Sequence, residues 1–496
     1  MKYRARGTQV YNVEEIRKTE HENIAEPVST VLGSKLKIPA QFRPPARFSE
    51  KNKPKEAAYY DFRSARTNLP RPNGIVGSVL HILTYGLGAG IPNMHVAYRE
   101  SGIWTGLVLN VILCVLVGHC SCILVRSAQK MYGRVQIPNL SYQDLAEASL
   151  LLSPWRCLRK CARAFRYLVE LTLALHCFGS CCVFVIMIAR NLKDLVEGTE
   201  YFRDDGDPPL TVYIISLVIP CTAVCMVTNL KNLAPFAIIA NFYAAAVLLC
   251  TMWYCLKYGR KNPLDRKGYK NVMGVFEFVG MCLFVSETAS IALPIEKNMD
   301  KPREFHRVIL LAMPILTAMT MAIGFFGVWH YGDNSVPPIL LHFPFKPIPI
   351  QLKVFLCLIV YVIYATTFFI GFDILWFYLK KMHLAAHYSL YERLYRIILV
   401  CIVISISYYC PNISTIMGVV GTSCTAPFLF LYPPFIELIV DWEYPGLGRF
   451  RWRLIKFIVF FIISIVIIVV GTYYNVHAAH IKVRQGHVHT VDPDEM

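Results

Sequence analysis

Residues 84–92 read TYGLGAGIP, and residues 284–294 read FVSETASIALP. Each stretch lies inside a run of apolar residues that is otherwise suited to a helix. Glycine loosens the backbone and proline lacks an amide hydrogen, so the first stretch disfavours a continuous helix. The second stretch places hydroxyl side chains around one acid and ends on a proline. Both runs are therefore predicted to be helices that break near their middle.

The composition of the chain places these runs in a membrane. Of its 496 residues 55% are hydrophobic and only 17% are charged, whereas soluble domains carry about 25% charged residues. The apolar runs are about 20 residues long, which is enough to cross roughly 30 Å of hydrocarbon. The net charge of +17 does not indicate nucleic-acid binding, because Lys and Arg lie in an N-terminal tail and in loops, where they set orientation. The sequence predicts an all-α polytopic protein that contacts the lipid bilayer and has no nucleic-acid partner.

Eleven apolar runs are predicted to be transmembrane helices, and they are numbered here as spans one to eleven. An odd number of crossings puts the two termini on opposite sides of the membrane. The spans cover about residues 75–98, 103–125, 165–190, 211–229, 233–256, 274–294, 308–330, 354–379, 394–411, 413–438 and 454–477.

The rest of the sequence forms two tails around a transmembrane domain at residues 74–478. Residues 1–73 hold 15 Lys and Arg against 8 Asp and Glu and show no sustained apolar period, a composition that resists forming a core. We predict a basic disordered tail that stays in the cytosol, since no apolar signal segment precedes span one. Residues 479–496 are then a short C-terminal tail in the exterior or in the lumen of an organelle.

The two interrupted runs are spans one and six, which hold the same position in two successive sets of five. Small residues in a span can simply allow close packing of helices. The matching positions favour instead an inverted repeat with two broken helices. An unwound segment exposes backbone N–H and C=O groups at mid-membrane, and half-helix N-termini carry partial positive charge, so the site suits a zwitterion. The candidate substrate-binding residues are Gly86, Gly88, Ala89, Gly90, Ser286, Thr288 and Ser290.

Two titratable residues are candidates for coupling transport to protons. His81 lies about six residues into span one, and imidazole titrates near physiological pH. Glu287 lies at the break of span six, where an ionisable group is costly enough to suggest a function. The alternatives are a histidine bonded to a neighbouring helix and a buried acid that locks helices together.

Other reactive side chains are interpreted as structural. His119, His176 and His330 have no partner visible in the sequence and are predicted to be bonded core residues. Cys157 and Cys161 lie in a basic loop without the His or further Cys residues that a zinc site needs. They are predicted to be structural thiols, and no metal site is expected.

Short motifs follow one another in a characteristic order over about residues 75–475. They begin with His81-Ile82-Leu83 ahead of the glycine cluster and reach Pro433-Pro434-Phe435 in span ten. In this order and spacing the chain resembles the proton-coupled amino acid transporters of the amino acid/auxin permease superfamily. The intervening matches are Gly102, Gly118-His119-Cys120, Cys181-Cys182-Val183-Phe184, Arg190-Asn191, Phe284-Val285-Ser286-Glu287, Leu293-Pro294-Ile295-Glu296-Lys297-Asn298-Met299, Tyr331-Gly332-Asp333, His342-Phe343-Pro344 and Gly418-Val419-Val420-Gly421-Thr422.

The resemblance implies a LeuT-like fold of eleven spans, in which spans one to five and six to ten are inverted repeats. It also implies transport of small neutral amino acids together with protons, at the plasma membrane or at lysosomal or endosomal membranes. It adds Asp373 in span eight to the proton-coupling candidates, because the family keeps an acid there. Glu170 in span three keeps the family's acidic type in the same way.

The chain departs from the family at both breaks. Family members usually read KGNIGTG where residues 84–90 read TYGLGAG, and they tend to EGIG where residues 287–290 read ETAS. The side chains of Thr288 and Ser290 would narrow a pocket built for close backbone approach, or would offer hydroxyls to a different ligand.

The sequence contains no phosphate-binding loop and no catalytic motif of a known hydrolase type. We therefore expect neither an enzyme nor a cofactor, and transport would have to use a gradient. The leading prediction is secondary active transport. The rival is a non-transporting amino acid sensor that signals through the basic tail, which the lost glycines favour, and a flux measurement distinguishes the two. An ion channel is disfavoured, because no filter sequence is present.

Overall fold

Apolar segments form helices in this chain because a helix satisfies its own backbone hydrogen bonds where no water is available. Among the residues described below, the only departure towards a sheet is an isolated parallel bridge between Asn73 and Met299. The predicted all-α class is confirmed. The computed structural model describes residues 62, 66, 73–87, 90–135, 137–198, 208–226, 234–258, 266–383, 387–442 and 446–484.

The α-helices are numbered in chain order. Short 3-10 turns and three π-helical stretches, at residues 421–425, 427–431 and 467–471, connect some of them. The bounds are α1 Ile75–Leu87, α2 Met94–Ser101, α3 Ile103–Val135, α4 Tyr142–Leu151, α5 Arg156–Glu197, α6 Leu210–Ser216, α7 Val218–Cys225, α8 Ala234–Tyr258, α9 Val272–Val285, α10 Ala289–Lys297, α11 Phe305–Tyr331, α12 Pro347–Leu379, α13 Tyr388–Tyr409, α14 Ile413–Val420, α15 Tyr432–Asp441, α16 Trp452–Val466 and α17 Thr472–Arg484.

Each of the eleven predicted spans contains helix, although their lengths differ. Within the described ranges, seven helical stretches are long and apolar enough to cross a membrane. Shorter apolar helices occupy residues 75–84, 210–225 and 245–254, so eleven crossings remain a prediction. The seven long stretches are Ile103–Val135, Arg156–Glu197, Val272–Lys297, Pro302–Tyr331, Pro347–Met382, Ile413–Asp441 and Trp452–Ile481.

The centre of the bundle is formed by spans six and ten. In the most apolar part of Ile413–Asp441, 89% of the residues are buried, and in Val272–Lys297 the share is 83%. The corresponding share for Trp452–Ile481 is only 22%, so the last span packs on the outside. Span six, with its interruption, therefore lies in the interior of the bundle.

Both predicted breaks are present. Helix α1 ends at Leu87, and a 3-10 turn at Ile91–Asn93 leads into α2, while residues 88–89 lie outside the described residues. Helix α9 ends at Val285, and residues 286–288 are not helical before α10 begins. The prediction that spans one and six are broken helices is confirmed.

The two broken helices run antiparallel. The Asn73 N–H donates to the Asn298 carbonyl at 2.8 Å, so the start of span one lies beside the end of span six. At the opposite end the Lys270 N–H donates to the Ser101 carbonyl at 3.2 Å. This inverted relation is the one expected of a LeuT-like repeat. The end of the bundle near Asn73 is called the inner end below, and the end near Ser101 is called the outer end.

The predicted disorder of residues 1–73 concerns positions that lie outside the described residues, apart from three. Of these, Phe62 is buried, Arg66 has a buried side chain although the residue as a whole is partly exposed, and Asn73 forms the bridge to Met299. At the other terminus α17 continues to Arg484, past the predicted domain boundary at residue 478. The remainder of the predicted C-terminal tail, residues 485–496, lies outside the described residues.

Candidate functional site

The two helix breaks lie against each other. A β-carbon on Gly86 would be 3.2 Å from the Val285 carbonyl oxygen and 2.8 Å from Cδ1 of Leu316. A β-carbon on Gly90 would be only 2.4 Å from Cγ2 of Val285. Both glycines are thus needed for the first break to approach the second. The other predicted residues of the first break, Gly88 and Ala89, lie outside the described residues.

The carboxyl group of Glu287 lies at the N-terminal end of α10. Its side chain is buried; Oε1 accepts the Ser290 N–H at 2.8 Å, and Oε2 accepts the Ser290 hydroxyl at 2.6 Å. The first N–H groups of a helix have no partner within the helix and carry partial positive charge. The Glu287 side chain therefore already occupies this half-helix N-terminus, which is not free for a substrate carboxylate while Glu287 stays in place.

The hydroxyls on either side of Glu287 are also bonded. Ser286 Oγ donates to the Cys282 carbonyl at 2.6 Å and so closes the last turn of α9. The hydroxyls of Thr288 and Ser121 are 2.7 Å apart, which joins the second break to α3. These bonds hold the non-helical segment in one conformation and fix the direction in which its side chains point.

His176 of α5 faces the second break as well. It is buried, its Nδ1 is 3.1 Å from Oγ1 of Thr425, and its ring centre is 5.8 Å from that of Phe284. The prediction of a bonded core histidine fits these contacts. Nothing in the sequence indicates that the ring would lie beside the break, since span three has no interruption of its own.

The other two predicted proton-coupling residues differ from Glu287 in burial. His81 on α1 and Asp373 on α12 both have exposed side chains. Among the described residues no group of three or more His, Cys, Asp or Glu side chains is placed to hold a metal ion. The predicted site residues that the structure brings together at the breaks are Gly86, Gly90, Ser286, Glu287, Thr288 and Ser290.

Glu170 belongs to an ion-pair cluster near the inner end. Arg166 Nε donates to Glu170 at 2.9 Å, and Arg166 Nη1 donates to Asp144 at 2.6 Å and to Glu147 at 3.1 Å. The Tyr378 hydroxyl donates to the second oxygen of Glu170. The cluster joins α4, α5 and α12, so these contacts give Glu170 a structural role.

Arg66 ties the N-terminal segment to the inner end of α10. Its Nη2 donates to Glu296 Oε2 at 3.0 Å, and the two side chains are only 4% and 0% exposed. Its Nε donates to the Pro138 carbonyl at 2.9 Å, and its guanidinium lies 5.4 Å from the centre of the Tyr132 ring. Gln129 Nε2 donates to the other oxygen of Glu296 at 3.1 Å. Arg66, Gln129, Tyr132 and Glu296 are called the inner clamp below.

At the outer end, two histidines hold the backbone of Val336 from both sides. The His95 Nε2 is 3.0 Å from the Val336 carbonyl oxygen, and the Val336 N–H donates to His342 Nε2 at 2.8 Å. The Tyr331 ring stacks on His342 with ring centres 4.3 Å apart. Burial lowers the pKa of His342 well below its ordinary value, so the ring is a neutral acceptor. His95, Tyr331, Val336 and His342 are called the outer cap.

The sequence as a whole matches a known family. Residues 71–476 match the family described as transmembrane amino acid transporter protein, so the chain belongs to that family and is an integral membrane protein. It is 28% identical over 407 residues to the proton-coupled amino acid transporter-like protein pathetic of Drosophila melanogaster, with 81% of this chain and 84% of that protein covered. It is 26% identical over 415 residues to the probable amino acid transporter skat-1 of Caenorhabditis elegans, with 79% and 86% covered.

The chain is also similar to solved transporter structures. MHP1, a nucleobase-cation-symport-1 family transporter in a closed conformation, matches with a TM-score of 0.48 and 12% identity over 85% of this chain and 95% of that chain. A Na+-coupled sialic acid symporter matches with a TM-score of 0.47 and 11% identity over 83% and 91%. The family assignment does not depend on these likenesses.

Proposed function

We propose that this protein is a secondary active transporter of small neutral amino acids that couples their movement to protons. The observation that carries the proposal is the buried carboxylate of Glu287 at the N-terminus of α10, where the two broken helices meet. A buried acid in a membrane span is costly and therefore suggests a function. Family membership supports amino acids as the cargo, and the name of the Drosophila relative supports protons.

The charge distribution at the breaks suits a zwitterion bound in one direction. The Glu287 carboxylate can pair with the substrate ammonium in a charge-assisted hydrogen bond. The substrate carboxylate would then be bound at the first break, where a 3-10 turn begins at Ile91. Because Glu287 already binds the N-terminus of α10, the two charged ends of the substrate go to different breaks.

The side chains at the second break support a small substrate. Ser286, Thr288 and Ser290 fill space that glycines would leave open, and Val285 packs against Gly90 across the breaks. One additional methylene that does not fit a pocket costs roughly 1–3 kcal/mol. We therefore propose glycine-, alanine- or proline-sized substrates.

Among the three predicted proton-coupling residues, Glu287 is the one that we propose as the carrier at the site. Protonation would neutralise its carboxylate and weaken its bonds to Ser290, so that the N-terminus of α10 could change its ligand. His81 and Asp373, which are exposed, remain candidates for proton entry or exit. No enzymatic step is part of the proposal.

Transport would proceed by alternating access, with the inner clamp and the outer cap opening in turn. Both are formed at once in this structure. We propose that the inner end faces the cytosol, because the basic N-terminal tail is attached there. The membrane would be the plasma membrane or that of lysosomes or endosomes, with uptake from the acidic side.

Uptake of labelled amino acids into proteoliposomes containing the full chain tests the proposal, with and without an inward proton gradient. We expect gradient-stimulated uptake of a small neutral amino acid, and we expect Glu287→Gln to abolish the stimulation. His81→Asn and Asp373→Asn are compared in parallel, and Glu437→Gln serves as a control, since Glu437 pairs with Lys456 in another part of the bundle. Saturable binding without flux would overturn transport and would support a sensor.

A further inference from the structure

Cys157 and Cys161 lie together on one face of α5 at its inner end. They are about one helical turn apart, so both thiols project from the same side of the helix. Both side chains are exposed, which corrects the prediction that they are structural thiols. We propose that this pair is an S-acylation site, at which a long-chain fatty acyl group is attached through a thioester.

The face that carries the two thiols continues along α5 as an apolar stripe. Leu168, Leu171 and Leu175 follow at helical spacing and are 49%, 55% and 53% exposed, whereas Ala162 on the opposite face is fully buried. Exposed leucines of a membrane helix contact lipid. Leu171 lies ten residues beyond the second cysteine, or about 15 Å at 1.5 Å per residue, which is half of a roughly 30 Å hydrocarbon core. An acyl chain attached at the inner end would therefore run into the bilayer along this stripe.

The residues around the pair place it at the membrane surface. Trp155 packs against Trp442 with ring centres 4.2 Å apart, and tryptophan is enriched at the boundary between membrane and water. Basic side chains near this boundary attract anionic lipid headgroups. At such a depth an acyl donor can reach the thiol and the attached chain can insert. The first two turns of α5 carry Arg156, Arg159, Lys160 and Arg163.

The attachment is a thioester exchange. The sulfur of one of the two cysteines attacks the carbonyl carbon of a long-chain acyl-coenzyme A, and a new sulfur–carbon bond forms. The bond from that carbon to the sulfur of coenzyme A breaks, and coenzyme A leaves as a thiol with the proton that the cysteine gives up. Nothing is oxidised or reduced, and the only co-reactant is the acyl-coenzyme A.

The site rests on the proposed orientation, in which the inner end faces the cytosol, where acyl-coenzyme A is available. It does not depend on whether the protein moves amino acids, so the two proposals can fail separately. Cys401 provides a matched control. It is also exposed, but it lies well inside α13, which begins at Tyr388, and is therefore at hydrocarbon depth.

The full-length protein is expressed in eukaryotic cells, and its free thiols are blocked with N-ethylmaleimide. Neutral hydroxylamine then cleaves thioesters, and the released thiols are counted by the gel shift of a polymer-linked maleimide. We expect one or two hydroxylamine-dependent tags on the wild-type chain. Cys157→Ser and Cys161→Ser should each leave at most one tag, the double variant should leave none, and Cys401→Ser should not change the pattern.

A wild-type chain without a hydroxylamine-dependent tag would overturn the site, as would tags that survive in the double variant. Labelling of the pair in intact cells by a membrane-impermeant maleimide would overturn it too, because the inner end would then face the exterior. Amino acid uptake measured in the same cells reports on transport independently of these results.

Discussion

Ser290 supplies both groups that bind the Glu287 carboxylate, its backbone N–H and its hydroxyl. Replacement by glycine keeps the first bond, removes the second and opens space at the second break. We expect Ser290→Gly to raise the relative uptake of an amino acid one methylene larger than the preferred substrate by about tenfold, since one methylene is worth roughly 1–3 kcal/mol in a fitted pocket. Competition between two labelled amino acids in proteoliposomes measures this ratio.

Ser290→Ala separates volume from hydrogen bonding, because it keeps the β-carbon and loses the hydroxyl. We expect the alanine variant to keep the size selectivity of the wild type while sharing any change in pH profile with the glycine variant. Equal broadening in both variants would mean that the hydroxyl, not the space, limits substrate size. No change in either variant would show that the substrate does not pass position 290.

Single residues also show what the sequence could and could not predict about the site. Gly86 and Glu287 were predictable, because a break needs residues that interrupt an apolar run. Which side of a helix faces the centre of the bundle is set by the packing of neighbouring helices. The sequence of a single helix does not reveal it. His81 and Asp373 were chosen by residue type and resemblance, yet both are exposed. His176, on an uninterrupted helix, proved to lie beside the break.

At the scale of helices, the inner clamp joins the N-terminal segment to α10. Arg66→Ala would leave the Glu296 carboxylate buried without its guanidinium partner. Removing one partner of a buried ion pair costs about 3–5 kcal/mol, so the inner end of α10 should open more often. We expect faster amide hydrogen exchange over residues 292–299, measured by mass spectrometry on the purified full-length protein.

Arg307→Ala is the matched control for the clamp. Arg307 pairs with Glu304 near the same end, but its side chain is 59% exposed, and such surface pairs contribute only about 0–1 kcal/mol. This variant should leave exchange over 292–299 unchanged. Arg66→Gln combined with Glu296→Gln should restore much of the protection, because no charge is then left buried alone. Unchanged exchange in Arg66→Ala would show that the clamp does not hold α10.

The outer cap should respond to pH on its own side of the membrane. Burial is the main reason why the pKa of His342 lies below its ordinary value of 6.5. The neighbouring His95, His330 and Arg99 lower this pKa further. The neutral ring accepts the Val336 N–H, and protonation removes that acceptor. The stabilisation is fully present above about pH 6.5 and is lost as the pH falls below it. Protection factors of residues 332–343, followed as the pH is lowered, should therefore decrease.

His342→Gln tests this assignment, because the glutamine carbonyl can accept the same N–H and does not titrate. Its protection factors should stay constant over the same pH range. His387→Gln, an exposed histidine at the inner end, should keep the wild-type decrease. If His342→Gln also keeps it, another group senses pH at the outer end.

For the whole molecule, hydrophobic run length predicted the helices and interrupted runs predicted the two breaks, because both follow from the backbone's need for hydrogen bonds in lipid. The contact of Arg66 with Glu296 could not be predicted in this way. Arg66 lies in a segment whose composition indicates disorder. The contact is formed by single side chains and not by a periodic apolar face, which is the pattern that a sequence reveals. The number of membrane crossings is also harder to predict, since residues 210–225 form two short helices rather than one long one.

The number of crossings decides which side of the membrane each terminus faces. Eleven crossings with a cytosolic N-terminus require the C-terminus to be in the exterior or in an organelle lumen. Epitope tags at the two termini, with a third in the loop between α15 and α16, are stained after selective permeabilisation of the plasma membrane. The N-terminal and loop tags should stain together, whereas the C-terminal tag should stain in intact cells or only after full permeabilisation. If all three tags stain together, α16–α17 does not cross the membrane. If the loop tag alone differs from the two terminal tags, an odd number of crossings separates it from the N-terminus, and one short helix, such as α6–α7, does not span.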